Sequence, residues 1–171
     1  MKGYVHVYTG NGKGKTTAAF GLALRACGAD KKVFIAQFVK GKVYSEINAI
    51  RNYLPQTEIK QYGNGYFINK KPAEADIEIT QQGLREIKEL VKSGDYDLVI
   101  LDEIFIALHY NLISVEAVIE LIKNKPDKLE LVLSGRYAPH KIIVLADLVT
   151  EMKEIKHYYQ NGVKARKGIE F

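Results

Sequence analysis

The chain has 171 residues, 47% of them hydrophobic and 26% charged, with a formal net charge of +5. Such a length fits one domain spanning residues 1–171, able to bury about 70% of its unfolded surface. The charge excess is mild and its lysines are scattered, which argues against a nucleic-acid surface and suits a small anionic ligand.

No run is apolar and long enough to cross a bilayer, and no signal peptide precedes the first predicted strand. The single cysteine, Cys27, can form no internal disulfide, and no Cys/His cluster has metal-site spacing. A cytoplasmic protein is therefore expected. Internal repeats, low-complexity segments and linkers are not seen.

Tyr4-Val5-His6-Val7-Tyr8 reads as a strand. It runs into Thr9-Gly10-Asn11-Gly12-Lys13-Gly14-Lys15-Thr16-Thr17, which opens a helix from Thr17 to Ala26. Strand, glycine-rich turn, Lys-Thr and helix are the context of a phosphate-binding loop. Gly10, Gly12 and Gly14 let backbone N–H groups converge on one anion. The helix adds its positive end. Lys15 carries a mobile cation, and the Thr16 hydroxyl is placed to hold Mg²⁺. Thr9 stands where the common pattern has glycine. A ligand-free glycine turn is the plainer reading, and the whole combination favours nucleotide binding.

Val33 to Phe38 is apolar almost throughout, as in a buried parallel strand. Ser45 to Leu54 reads as a helix capped by Ser45. Glu58 to Tyr62 reads as an edge strand. The loop from Gly63 to Pro72 is rich in aromatics: Tyr66 and Phe67, with Tyr62 before it, form either a satellite core or a platform for a planar ligand. Asp76 to Lys92 has helical spacing. Leu98 to Leu101 is a buried strand, Ser114 to Lys123 a helix stopped before Pro126, and Leu129 to Leu133 a strand. Pro139 to Leu145 reads as a helix with proline in its first turn. Leu148 to Ile155 reads as the last strand. Alternation of this kind predicts an α/β fold, a mostly parallel sheet with helices on both faces. Ligands of such sheets sit at the carboxyl ends of the strands.

Asp102 and Glu103 follow the apolar strand Leu98–Leu101. With a phosphate loop in the same chain, an acid at that place fits the Mg²⁺ shell. The competing reading makes Asp102 a helix cap, and Glu103 can also serve as a base that activates water. Arg136, after the strand ending at Leu133, falls on the same rim as Lys15 and can clamp phosphate oxygens. Arg25 lies on the first helix, where a structural role competes with nucleotide contact. His6, His109, His140 and His157 fall in different elements and read as structural or surface residues.

Taken in order, these pieces resemble the P-loop ATP:corrinoid adenosyltransferases. The resemblance rests on the loop Thr9 to Gly21, Gln37-Phe38-Val39-Lys40-Gly41, Asp97 to Glu103 and Ser134-Gly135-Arg136. It continues through Ala146 to Met152, Lys156-His157 and Gly162 to Ile169. Thr9 becomes a family trait. A RecA-like P-loop fold and a homodimer are implied, with transfer of the 5′-deoxyadenosyl group of ATP to the Co(I) of cobalamin or cobinamide. A reductase supplying Co(I) is a further implied partner. In this picture the nucleophile belongs to the corrinoid, so no catalytic Ser, Cys or His is needed. Gly10, Asn11, Gly12, Lys13, Gly14, Lys15, Thr16, Thr17, Arg25 and Arg136 would serve the nucleotide. Thr16, Asp102 and Glu103 would serve Mg²⁺, and Tyr66 would face the corrinoid. Family members often carry Gly-Phe-x-Trp in the aromatic loop, and here the matching residues are Gly65-Tyr66-Phe67-Ile68. The rival readings are a P-loop ATPase or kinase using Glu103 as base and a RecA-like nucleic-acid-binding module.

Overall fold

A computed structural model describes residues 2–65 and 71–171. Six strands form one sheet: β1 (Val5–Thr9), β2 (Val33–Phe38), β3 (Thr57–Tyr62), β4 (Leu98–Asp102), β5 (Glu130–Ser134) and β6 (Leu148–Glu151). Their order across the sheet is β3-β2-β4-β5-β1-β6, and every neighbouring pair is parallel. The connecting helices are α1 (Lys15–Cys27), α2 (Ser45–Tyr53), α3 (Glu74–Ser93), α4 (Ile104–His109), α5 (Val115–Lys123) and α6 (His140–Leu145). A short 3₁₀ turn follows at Tyr158–Asn161. This is the architecture of a RecA-like P-loop fold, and Glu58–Tyr62 lies in an edge strand as expected.

Two cores sit on the two faces of the sheet, and strand alternation assigns residues to them. Val33, Ile35, Leu98, Ile100 and Val132 pack with Ala19, Ala23 and Ala26 of α1 and Ile50 of α2. The residues between them, Phe34, Ala36, Phe38, Val99, Leu101, Leu131 and Leu133, pack with side chains of α3, α4, α5 and α6. Each fully buried Leu, Ile or Phe contributes about 1.5–3 kcal/mol. The alanines of α1 keep that helix close to the strands, which fixes where its N-terminus stands over the sheet.

Four readings of the sequence are corrected. Ser45 does not cap α2; Tyr44 holds the cap position, and the Ser45 hydroxyl donates to the Phe171 carbonyl oxygen at 3.0 Å. Helix α3 begins at Glu74, two residues before the expected start, with the Asp76 carboxylate accepting from the Ala73 N–H. Helix α4 follows Asp102, but its N-cap is Glu103 and not Asp102 as the competing reading had it; its span was not readable, because Ile104-Phe105-Ile106-Ala107-Leu108 is apolar all round and carries no helical period. Strand β6 ends at Glu151 rather than Ile155, and all four of its residues are exposed.

Candidate active site

Alternation also builds the site. Two residues beyond Ile35, Ile100 and Val132, the same face of the sheet presents Gln37, Asp102 and Ser134 at the strand ends. Gln37 pairs with Asp102 in register, and Ser134 lies one step past the Leu101–Leu133 pair. All three are fully buried, beneath the N-terminus of α1.

Asp102 is the hub. Its Oδ1 accepts from the Ser134 hydroxyl at 2.6 Å and the Thr16 hydroxyl at 3.0 Å. Its Oδ2 accepts from the Lys40 ammonium at 2.9 Å and the Gln37 amide at 3.1 Å. Four donors converge on one carboxyl group, which is therefore ionised. Burial alone would raise its pKa; the Lys40 charge and the hydrogen bonds from Ser134, Lys40 and Gln37 outweigh that and hold it below the usual carboxylate range.

Lys40 Nζ also donates to the Thr16 hydroxyl at 3.3 Å and stands 4.0 Å from Glu103 Oε1. Burial would lower the pKa of this ammonium, but the charges of Asp102 and Glu103 raise it. Glu103 is the N-cap of α4 and, unlike Asp102, is pushed up, first by burial and then by the Asp102 charge. The backbone at this rim is strained. Val39, Glu103 and Tyr137, at the ends of β2, β4 and β5, have φ of 62°, 58° and 65°. A β-branched residue in that region is an outlier, and such strain concentrates at functional sites.

The glycine-rich loop closes the site from the other side. The Lys15 ammonium donates back to the carbonyl oxygens of Gly10 at 2.8 Å and Gly12 at 2.7 Å. Lys15 is only 7% exposed, and burial lowers its pKa. Gly10 and Gly12 have a second reason to be glycine besides an anion. A Cβ would lie 2.4 Å from the Met152 carbonyl oxygen at Gly10 and 2.7 Å from it at Gly12. Met152 follows β6; its carbonyl accepts from the Gly12 N–H at 2.7 Å, and its N–H donates to Thr9 at 2.8 Å. The N–H of Gly12 is thus committed to the β6 side. Gly14, at φ 119°, caps α1.

Arg136 is exposed and its guanidinium donates to the Asn11 carbonyl at 3.3 Å, which brings it to the loop as expected. Lys13 is drawn elsewhere: its ammonium donates to Glu170 Oε1 at 2.8 Å, the Tyr158 hydroxyl at 2.9 Å and the Ile169 carbonyl at 3.1 Å. Tyr158 donates to the same Glu170, and Arg166 pairs with it at 3.3 Å. A segment near residue 170 therefore lies against the loop near residue 13. Thr17 is exposed in the first turn of α1, and Arg25 is exposed in the last. Arg25 is about 15 Å along the helix from Lys15 and outside the cluster. Tyr66, Phe67 and Ile68 lie outside the described residues.

Lys40, Gln37 and Ser134 were not expected as site residues. Two of them were findable: extending the strand alternation past the apolar runs places Gln37 and Ser134 beside Asp102. The donor set suits a hard divalent cation. The Thr16 hydroxyl and the two carboxylates are oxygen ligands of the kind Mg²⁺ takes, and a positive charge, that of Lys40, already stands among them. Among the described residues no group of three or more His, Cys, Asp or Glu could hold a metal, so Mg²⁺ here would complete its shell with phosphate oxygens and water. No helix among the described residues is long and apolar enough to cross a membrane.

The chain is similar to known proteins along nearly its whole length. The chain is 35% identical over 172 aligned positions to the corrinoid adenosyltransferase of Escherichia coli strain K12, covering 99% of this chain and 86% of that protein. It is 36% identical to the corrinoid adenosyltransferase of Sinorhizobium sp, covering 99% and 81%. It is also 36% identical to corrinoid adenosyltransferase CobA of Salmonella typhimurium, covering 99% and 86%. The family described as ATP:corrinoid adenosyltransferase BtuR/CobO/CobP matches residues 1–171 from end to end, and the chain belongs to that family.

Proposed function

We propose that this protein transfers the 5′-deoxyadenosyl group of ATP to the Co(I) of a corrinoid, cobalamin or cobinamide, with release of triphosphate. The electron pair of Co(I) forms the Co–C5′ bond, the C5′–O bond breaks, and its electrons leave on the triphosphate. One observation carries the reading beyond family membership: the Thr16–Asp102–Lys40 cluster and Lys15 gather cations and donors where a polyphosphate would lie. The work left to the protein is alignment of cobalt with C5′ and stabilisation of the departing charge. Lys15 and Arg136 serve that charge, and the loop from Gly10 to Thr17 cradles the phosphates.

Mg²⁺, when bound, would neutralise developing charge on the phosphates. Thr16 and Glu103 are its direct ligands in this proposal. Asp102, with four donors already on it, orients the Thr16 hydroxyl. The unit acts as one domain and a cytoplasmic homodimer, with a reductase supplying Co(I) and Tyr66 facing the corrinoid.

The test mixes ATP, Mg²⁺ and chemically reduced cobalamin or cobinamide with the protein. The expected result is the spectral change of Co–C bond formation with triphosphate as the other product. Release of inorganic phosphate without corrinoid, and no spectral change with it, would replace the proposal by an ATPase.

A further inference from the structure

Lys40 stands among the proposed metal ligands. Lys40 Nζ lies 2.9 Å from Asp102 Oδ2, 3.3 Å from Thr16 Oγ1 and 4.0 Å from Glu103 Oε1. Thr16 and Glu103 are the direct metal ligands proposed above, and Asp102 is the carboxylate that orients the Thr16 hydroxyl. Val39 holds φ 62°, the left-handed turn that carries the chain into Lys40 at the end of β2. A β-branched residue is kept in that conformation only where the surroundings enforce it.

We propose that Lys40 is an exchangeable cation, whose ammonium and the divalent ion of metal–ATP take turns beside Asp102 and Thr16. Asp102 is fully buried, and a buried carboxylate without a positive partner is strongly unfavourable. A cation must therefore stay beside it whether or not nucleotide is bound. Two cations in the same few ångströms of a poorly hydrated site repel strongly. Arrival of the metal moves the ammonium out, and its four-carbon stem lets it swing. The acceptors within reach of the rim are then the phosphate oxygens that come with the metal. Lys40 so becomes a positioning residue for triphosphate, and metal and nucleotide bind together rather than singly. The inference rests on the reading of Thr16 and Glu103 as metal ligands oriented by Asp102.

The experiment uses Mn²⁺ as a paramagnetic probe on the full chain, with and without ATP. Lys40→Met removes the competing charge. Lys40→Gln also removes it but keeps an amide that can donate to Asp102, so a folded variant is available if the methionine protein fails. Without ATP, both variants are expected to bind Mn²⁺ about tenfold tighter or more than wild type, a modest fraction of the Coulomb term at this separation. Their thermal midpoints should rise with Mn²⁺ while that of wild type barely moves. With ATP present, the variants should keep the metal and bind the nucleotide more weakly than wild type. Equal Mn²⁺ affinity in wild type and both variants would overturn the exchange. Asp102→Asn and Glu103→Gln separate the two readings. If neither weakens Mn²⁺–ATP binding, the metal set itself is wrong. If they weaken it and the Lys40 variants gain nothing, only the exchange fails.

Discussion

Ser134→Ala tests whether the buried Asp102 charge is held by its hydroxyl and amide donors. Ser134 has no exposed surface, and its hydroxyl donates to Asp102 Oδ1 at 2.6 Å while accepting from the Glu103 N–H at 3.3 Å. Removing a hydrogen bond to a charged group costs about 1.5–3 kcal/mol. Loss of the weaker contact from Glu103 adds roughly 0.5–1 kcal/mol. The vacated space is one oxygen, so no large cavity term enters. The sum is about 2–4 kcal/mol of unfolding free energy. With 11 tyrosines and no tryptophan, urea unfolding is best followed by far-UV circular dichroism. The midpoint should fall with the slope unchanged. A double-mutant cycle with Asp102→Asn should give a coupling of about 1.5 kcal/mol or more. A loss below about 0.5 kcal/mol, or no coupling, would show that Asp102 does not depend on Ser134.

Four further outcomes are expected. Lys15→Ala should stay folded yet lose about a hundredfold in ATP affinity and adenosyl transfer, and calorimetric titration showing near wild-type affinity would contradict this. Arg136→Ala should lower kcat about tenfold or more while changing ATP affinity less, because charge on the leaving oxygen grows only as C5′–O breaks; steady-state kinetics at saturating ATP decide it. Gly10→Ala, at φ 98° and 2.4 Å from the Met152 carbonyl, should cost about 3 kcal/mol, whereas Gly14→Ala meets only the flexible Met152 sulfur at 3.3 Å and should cost less in a thermal melt. Asp102 has a folded pKa below its usual 3.8, so its stabilisation is present above that value and is lost as pH falls through the lower folded value. The acid limb of the urea midpoint should be flatter in Asp102→Asn than in wild type.

The parallel sheet was legible because parallel strands buried on both faces are written as nearly continuous apolar runs, as in Val33–Phe38 and Leu98–Leu101. The loop was legible because its chemistry is local: Gly14, Lys15 and Thr16 act where they stand in the chain. The span of helix α4 was hidden because Ile104–Leu108 is apolar throughout and so shows no period. The partners of Asp102 were hidden for another reason. Gln37, Lys40 and Ser134 reach it from two other strands, across 65, 62 and 32 residues, and only the strand order brings them together. Lys13 shows the same limit: its place in the motif suggests phosphate, and its contact with Glu170 is 157 residues away.

That last contact has a bearing on how the chain is made. A ribosome delivers the glycine-rich loop well before its brace. Glu170 follows Lys13 by 157 residues, which at ordinary synthesis rates take roughly 8–30 s. During that interval Gly12 has no Met152 carbonyl to donate to, and β1 lacks the neighbour that fills one of its two sides. The loop that defines the site is therefore formed late, although it is made early. The contacts of Met152 and Glu170 with the loop form only after residues 148–170 have emerged.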